Sequence, residues 1–297
     1  SKPLTLHPPA PEARALQYSL LPELQDMTPG NAADHYRQAI KNMRQDDRPS
    51  FEWYATIDGW LAPPFKDLPR DKVARFLRRF DATFQEVAAG ARCENCDWGL
   101  IQEMREKGIG YLGPDYLAVR AIGKLLDLRL RYELADGKTD EALRTLQSGF
   151  ALSRHVGEAP GLLGAVYGLE IAGRMIDRLE DLIQRSEAPN LCWPLADLPR
   201  PFIDMRKPMQ GERVAAYGTF PDLTEMAADR NAKPWTPKQV EKVVSVLGYI
   251  YADSGFLIVR DANTSEMLLH IVAQHEDDKA RLIAEGRPKE LVDAMPH

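Results

Sequence analysis

The sequence predicts an all-α protein built from antiparallel helical hairpins, with one proline-rich crossover segment. Three observations carry this prediction. Apolar residues recur at spacings of three and four rather than two, and capping residues or prolines precede the periodic runs. The central helices are joined by loops of only two to four residues. Loops this short place consecutive helices side by side and antiparallel.

Composition narrows the classes of function. The chain has 297 residues, of which 44% are hydrophobic and 28% charged, as in proteins with a substantial core. A net charge of -6 repels phosphate backbones, so nucleic acid is not an expected partner. The longest apolar run, Leu162 to Leu169, is much shorter than the roughly 20 residues that span a bilayer. No transmembrane segment is therefore predicted.

The first predicted segment is an extended proline-rich arm, residues 1–15, which suits a contact with a neighbouring subunit. Its start resembles the end left by signal-peptide removal, which favours an exported protein over a cytoplasmic one. Three cysteines do not decide the compartment, because a pair could bridge and leave one thiol over.

The helical body is predicted over residues 16–186, and its first helix runs from the cap Asn31 to about Arg44. An aromatic stretch follows. It is interpreted as a wedge between two helices, because aromatic side chains usually bury their large area. The alternative is a partner-binding surface that uses exposed aromatic residues: Phe51, Trp53, Tyr54, Trp60 and Trp98. A third interpretation is a small-molecule sensor that uses the aromatic segment from Phe51 to Phe65.

A helix from about Leu68 to Ala89 carries one apolar stripe, and its arginines are assigned to a solvated face rather than an anion site. The centre of the body, residues 114–186, contains three helices: Pro114 to Asp136, Thr139 to Gly157, and Pro160 to Gln184.

The third central helix has three interior glycines, Gly164, Gly168 and Gly173. Each weakens a helix by about 1 kcal/mol relative to alanine. We expect them to be compensated by close contact with small residues of neighbouring helices, among them Ala142 and Gly149.

The segment "GKTDEALRTLQSGFAL", residues 137–152, resembles the second helix of a tetratricopeptide repeat. The resemblance rests on Ala142, Leu146 and Gly149 at the family's spacing. The preceding helix departs from the pattern, with Leu130 where glycine is expected. The resemblance implies a TPR-like, α-solenoid-like hairpin that presents a surface for protein binding.

Four segments together resemble a bacterial α-helical family with a TPR-like centre and no assigned activity: "TPGNAADHYRQAI", "CDWGL", "DEALRTLQSGFALSRHVG" and "LADLPRPFIDMR". Members of that family continue beyond the point where this chain ends, so we expect the chain to be part of a longer protein. Residues 187–235 form the proline-rich crossover, with one helix near residues 203–217. Residues 236–297 are predicted to form C-terminal helices that pack on the same body.

The pair Cys93-x-x-Cys96 is the main candidate for chemistry, and three alternatives stay open. The thiols could be turn residues without chemistry, which is favoured; they could form a disulfide, locally or with Cys192; or they could bind a metal or act in redox chemistry. No strand is predicted before Cys93, as a thioredoxin-type motif requires, and no second CxxC completes a zinc site. Trp98 is expected to pack between hairpins.

Other acid–base candidates are weaker. His270 and His275 are five residues apart and point about 140° away from each other on a helix, so they do not share a face. Asp177 and Asp181 do share a face, but nearby arginines favour an ion-pair ladder. No nucleophile elbow, Walker loop or dinucleotide motif is present. No cofactor or metal is predicted.

These observations favour a non-catalytic protein–protein interaction scaffold or assembly subunit, with a protein partner or a second copy of the chain. The alternative is a thiol redox or metal-binding protein centred on Cys93 and Cys96.

Overall fold

The computed structural model describes residues 18–46, 49–111, 113–219 and 277–293, and these residues are mostly helical. The predicted all-α class is confirmed. The longer helices are, in chain order, α1 (Ala32–Asp46), α2 (Phe51–Leu61), α3 (Arg70–Leu77), α4 (Asp81–Ala91), α5 (Leu100–Lys107), α6 (Tyr116–Ala135), α7 (Thr139–Gly157), α8 (Leu162–Ile183), α9 (Cys192–Ala196) and α10 (Arg206–Thr219). Residues 277–284 are also helical, and a short helix follows at Lys289–Asp293.

The chain divides into two compact units. Among the described residues, the first unit contains 18–102 and 113–213, and the second contains 103–111, 214–219 and 277–293. The predicted arm at residues 1–15, most of the C-terminal segment, His270 and His275 lie outside the described residues.

Two short parallel strands, which the sequence pattern did not predict, pair within the first unit. They are β1 (Thr28–Asn31) and β2 (Cys93–Asn95). The Asn31 side chain extends the link, because its amide donates to the Asp97 carbonyl and its Oδ1 accepts from the Asp97 N–H, both at 2.8 Å. The same Oδ1 accepts from Ala33 N–H at 3.2 Å, so the predicted capping role of Asn31 at α1 is confirmed.

The helix predicted from Leu68 to Ala89 is interrupted. A 3-10 turn at Arg78–Phe80 separates α3 from α4, so that prediction of one continuous helix is wrong. The apolar stripe is nevertheless buried at Val73, Leu77, Phe80, Phe84 and Val87. Helix α4 packs against α1, and Gly90 permits this contact, because a Cβ there would lie 2.8 Å from Cε1 of Tyr36.

Helices α6, α7 and α8 each pack against the other two, close to the predicted bounds. Two glycines of α8 form the predicted close contact with α7. A Cβ at Gly168 would lie 2.5 Å from Gly157 Cα and 2.6 Å from the Ser153 oxygen, and one at Gly164 would lie 2.8 Å from the Val156 oxygen. For these two glycines the close contact with a neighbouring helix is confirmed. The predicted partner Gly149 is wrong, because Gly149 lies against Met175 instead. The solenoid-like arrangement stays a prediction.

Candidate functional site

The cysteine turn, residues 93–96, carries two free thiols. Cys93 is buried in β2 with its Sγ 3.6 Å from the Ala89 carbonyl, and Cys96 has its Sγ 3.8 Å from the His155 carbonyl. Neither thiol is in a disulfide, and Cys192 is an exposed free thiol on α9.

The environment keeps the two thiols protonated. Burial, with the Asp97 carboxylate nearby, raises the pKa of Cys96 to about 12, and burial also raises the pKa of Cys93. A thiolate is the form that attacks disulfides and binds metals. Within the described ranges, no cluster of three or more His, Cys, Asp or Glu side chains is placed to hold a metal ion. The geometry of the turn therefore gives no support to thiol chemistry.

The turn instead anchors Trp98 in the core, as expected for a packing residue. The Trp98 ring stacks on Tyr36 with centroids 5.9 Å apart, and its Nε1 donates to the His155 carbonyl at 3.1 Å. The Tyr36 hydroxyl lies 2.7 Å from His155 Nδ1. Burial lowers the pKa of His155 to about 4, so the imidazole is neutral at neutral pH and its Nδ1 accepts a hydrogen bond from the Tyr36 hydroxyl. This cluster joins the cysteine turn to α1 and to the end of α7.

The aromatic segment is divided between core and surface. Trp53 is 4% exposed and packs near Phe76 and Phe80, with ring centroids 6.3 and 6.5 Å away. Trp53 and Trp98 are therefore inaccessible to a partner. Phe51 is 89% exposed, and Tyr54 and Trp60 are half-buried. Only the last three remain available for the predicted binding surface.

A charged ladder lies between α6 and α8, defined by Asp127, Arg174, Arg178 and Asp181. Arg178 pairs with Asp127 at 3.0 Å and with Asp181 at 2.6 Å, and Arg174 approaches Asp127 at 3.4 Å. Burial raises the pKa of Asp127, and the two arginines oppose that shift. The predicted ladder is present, but Asp127 of α6 is a member that the sequence pattern did not indicate, and exposed Asp177 shows no ion pair within 4 Å among the described residues.

Flanking pairs extend the ladder. Lys124 of α6 pairs with Asp58 of α2 at 2.5 Å, and Glu170 of α8 accepts from Arg120 at 2.9 Å and Arg174 at 2.8 Å. These charges are therefore used in fixing the positions of α2, α6 and α8.

One feature that packing among the described residues leaves unexplained is an exposed apolar stripe on α8. Its members are spaced by 4, 3, 4 and 3 residues, as along the seam of a coiled coil: Leu162, Val166, Leu169, Gly173 and Ile176. Leu169 is 55% and Val166 58% exposed. At Gly173 no described atom lies within 4 Å of the point where a Cβ would be. The prediction that Gly173 contacts a neighbouring helix is therefore wrong for the described residues.

No family model matches the chain, and no curated protein or solved structure is significantly similar to it. The α8 stripe therefore has to be interpreted from its own geometry. Helix α8 carries apolar residues on its buried face and also along one stripe of its exposed face. In the described part of the chain, no helix has the length and apolar character needed to cross a membrane.

The surroundings of the α8 stripe define its edges. On one side lie the buried residues Ala165, Ala172 and Leu179, and on the other lie Glu170 and the exposed Asp177. The stripe is thus an apolar ridge along one helix with carboxylates beside it. Contiguous exposed apolar groups of this kind mark surfaces that contact another molecule. The chemistry that this site offers is therefore apolar association.

Proposed function

We propose that this protein is a non-catalytic assembly subunit that pairs with a second copy of itself through the α8 stripe. The observation that carries the proposal is the heptad-like spacing of exposed aliphatic side chains around an exposed glycine on one helix. This spacing is the pattern with which two helices pack knobs into holes.

The stripe is complementary to itself in size. In an antiparallel pair related by a two-fold axis, Leu169 of each copy lies against Gly173 of the other, and Val166 lies against Ile176. The glycine leaves the space that the leucine side chain needs. The remaining layer places Leu162 against Glu180, at the edge where the carboxylate stays in water. A parallel pair would instead place the two Gly173 residues opposite each other and leave a gap.

The strength of the pair follows from the exposed area. Four aliphatic side chains of the stripe are 40 to 58% exposed. Full burial of such a side chain is worth about 1.5–3 kcal/mol, so covering the exposed half contributes about 1 kcal/mol, and the eight in a pair about 8 kcal/mol. Loss of translational and rotational freedom opposes association by at least about 4 kcal/mol. At the low end of that cost the net free energy is about 4 kcal/mol, so we expect a dissociation constant of about 1 mM.

Sedimentation velocity over roughly 1–300 µM protein tests this function. We expect the sedimentation coefficient to rise with concentration for the natural sequence. Leu169→Asp places two carboxylates in the proposed interface and abolishes the rise. Because Leu169 is already more than half exposed, this change leaves the monomer folded.

Phe51→Asp is the matched control, because Phe51 is even more exposed but lies on α2. It leaves the concentration dependence intact. A chain that stays monomeric throughout the range would overturn the proposal. Dissociation by Phe51→Asp and not by Leu169→Asp would do the same and would move the interface to the aromatic segment.

A further inference from the structure

A cavity of about 780 Å³ lies between two segments of the first unit, and its described lining includes no residue of the α8 stripe. Residues 18–25 form one wall, and residues 193–199, which include the end of α9, form the other. A volume of this size is within the range of sites that hold small organic molecules. The cavity is therefore a candidate ligand site that is independent of the proposed pairing.

Both walls are attached to the helical core, so the cavity is present before a ligand binds. In the first wall Leu20 is buried, and the Ser19 carbonyl accepts from the Gln147 side chain of α7 at 2.9 Å. Leu191, just before the second wall, is buried, and so is Pro194 within that wall. Because the walls are held in place, little conformational entropy is lost when a ligand binds.

Most of the lining is apolar. The two aromatic side chains, Tyr18 and Trp193, come from different walls, and Trp193 is 50% exposed. Aromatic rings attract cations, because the ring face carries a partial negative charge. The other apolar residues of the lining are Leu21, Pro22, Leu24, Pro194, Ala196 and Pro199.

The two charged residues of the lining are both acidic, with Glu23 in the first wall and Asp197 in the second. The Gln25 side-chain amide donates to the Glu23 carboxylate at 2.8 Å, and this neutral partner leaves the negative charge in place. Among the described residues, no lysine or arginine forms an ion pair with either carboxylate. The lining therefore favours a ligand that brings a positive charge.

We propose that the cavity binds a small organic cation in which a quaternary ammonium group is attached to an apolar body. A primary ammonium has three N–H donors and is strongly hydrated, so the loss of its hydrogen bonds to water opposes its burial among prolines and aromatic rings. A quaternary ammonium has no such donors. The rings of Tyr18 and Trp193 and the carboxylates of Glu23 and Asp197 all attract it.

Two probes of nearly equal shape test the proposal: para-hydroxyphenyl-trimethylammonium, and para-tert-butylphenol, in which carbon replaces the charged nitrogen. Binding is followed by heteronuclear NMR through the indole N–H signal of Trp193, which Trp193→Phe assigns. We expect the cation to shift this signal with a dissociation constant of about 1 mM, as for a ligand of about a dozen heavy atoms. The neutral probe should bind at least about fivefold more weakly.

The double variant Glu23→Gln with Asp197→Asn removes both negative charges and keeps the size of the side chains. It should weaken binding of the cation by at least about fivefold and leave binding of the neutral probe unchanged. The matched control, Glu52→Gln with Asp71→Asn, removes two exposed carboxylates outside the lining and should change neither affinity. Thermal melting checks that both variants are folded.

Two results with the natural chain would overturn the proposal. One is equal affinity for the two probes, which would show that the cavity does not select a positive charge. The other is a Trp193 signal that the cation leaves unmoved at about 10 mM, well above the expected dissociation constant.

Discussion

Two glycines of the same helix are expected to respond in opposite ways to the same substitution. In Gly168→Ala, the new methyl would lie 2.5 Å from Gly157 Cα and 2.6 Å from the Ser153 oxygen. Both are backbone atoms of α7, so no side-chain rotation relieves the overlap. Overpacking of this kind costs about 1–3 kcal/mol, and the gain in helix propensity offsets about 1 kcal/mol. We expect Gly168→Ala to lower the free energy of unfolding by up to about 2 kcal/mol.

In Gly173→Ala, no described atom lies within 4 Å of the new methyl. Only the propensity gain remains, so the free energy of unfolding of the monomer rises by about 1 kcal/mol. Urea denaturation at low micromolar concentration, where the proposed pair is dissociated, measures both variants. If Gly168→Ala stabilised the protein, or Gly173→Ala destabilised it by a similar amount, the assignment of the two faces of α8 would be refuted.

Three further predictions follow from buried groups. The pKa of His155 is lowered to about 4 in the folded protein, whereas the unfolded value is near 6.5. This difference contributes about 3 kcal/mol of stability above pH 6.5, which is lost as the pH falls towards 4. In urea unfolding across this pH range, the free energy of unfolding of His155→Gln should depend less on pH than that of the natural chain. Arg178→Met removes the guanidinium that contacts the carboxylates of Asp127 and Asp181 and should lower the free energy of unfolding by about 3 kcal/mol at pH 7. Arg206→Met, at an exposed pair, should change it far less; equal losses would contradict the burial of the ladder. Mass spectrometry after brief alkylation at pH 7.5 should find Cys192 modified first and Cys96 roughly a hundredfold more slowly; comparable rates would show that the turn is open to solvent.

Local signals in the sequence predict the central helices well. The predicted bounds of α6, α7 and α8 lie close to the observed ones. Pro114 and Thr139 mark the starts of two of these helices, and the loops between the three are short. The two strands are missed because each has only three or four residues, and β1 contains a proline and a glycine, so no alternation is visible. The fold class depends on the helices and is unaffected.

The exposed face of α8 could have been separated from its packed face by spacing alone. Gly164 and Gly168 are four residues apart and share a face, but Gly173 is five residues beyond Gly168 and so points about 140° away. The spacing of residues in the sequence gives no comparable signal for ion pairs between distant helices. Lys124 and Asp127 form a polar stripe on α6 that resembles a solvated face, and only the three-dimensional structure shows that α2 and α8 supply their partners.

The most direct test of pairing through α8 is the distance between spin labels at position 177 in two copies. Asp177 is exposed beside the stripe, and Asp177→Cys in a Cys192→Ser background provides one reactive thiol per chain. With Leu169 opposite Gly173, residue 177 lies level with residue 165 of the second copy. The axial offset is then about 18 Å and, with helix axes about 9 Å apart, the backbones at the two labels are roughly 20 Å apart. A dipolar signal near that distance is predicted. Its absence at 200–300 µM, or a distance near 10 Å from parallel helices, would contradict the proposed pairing.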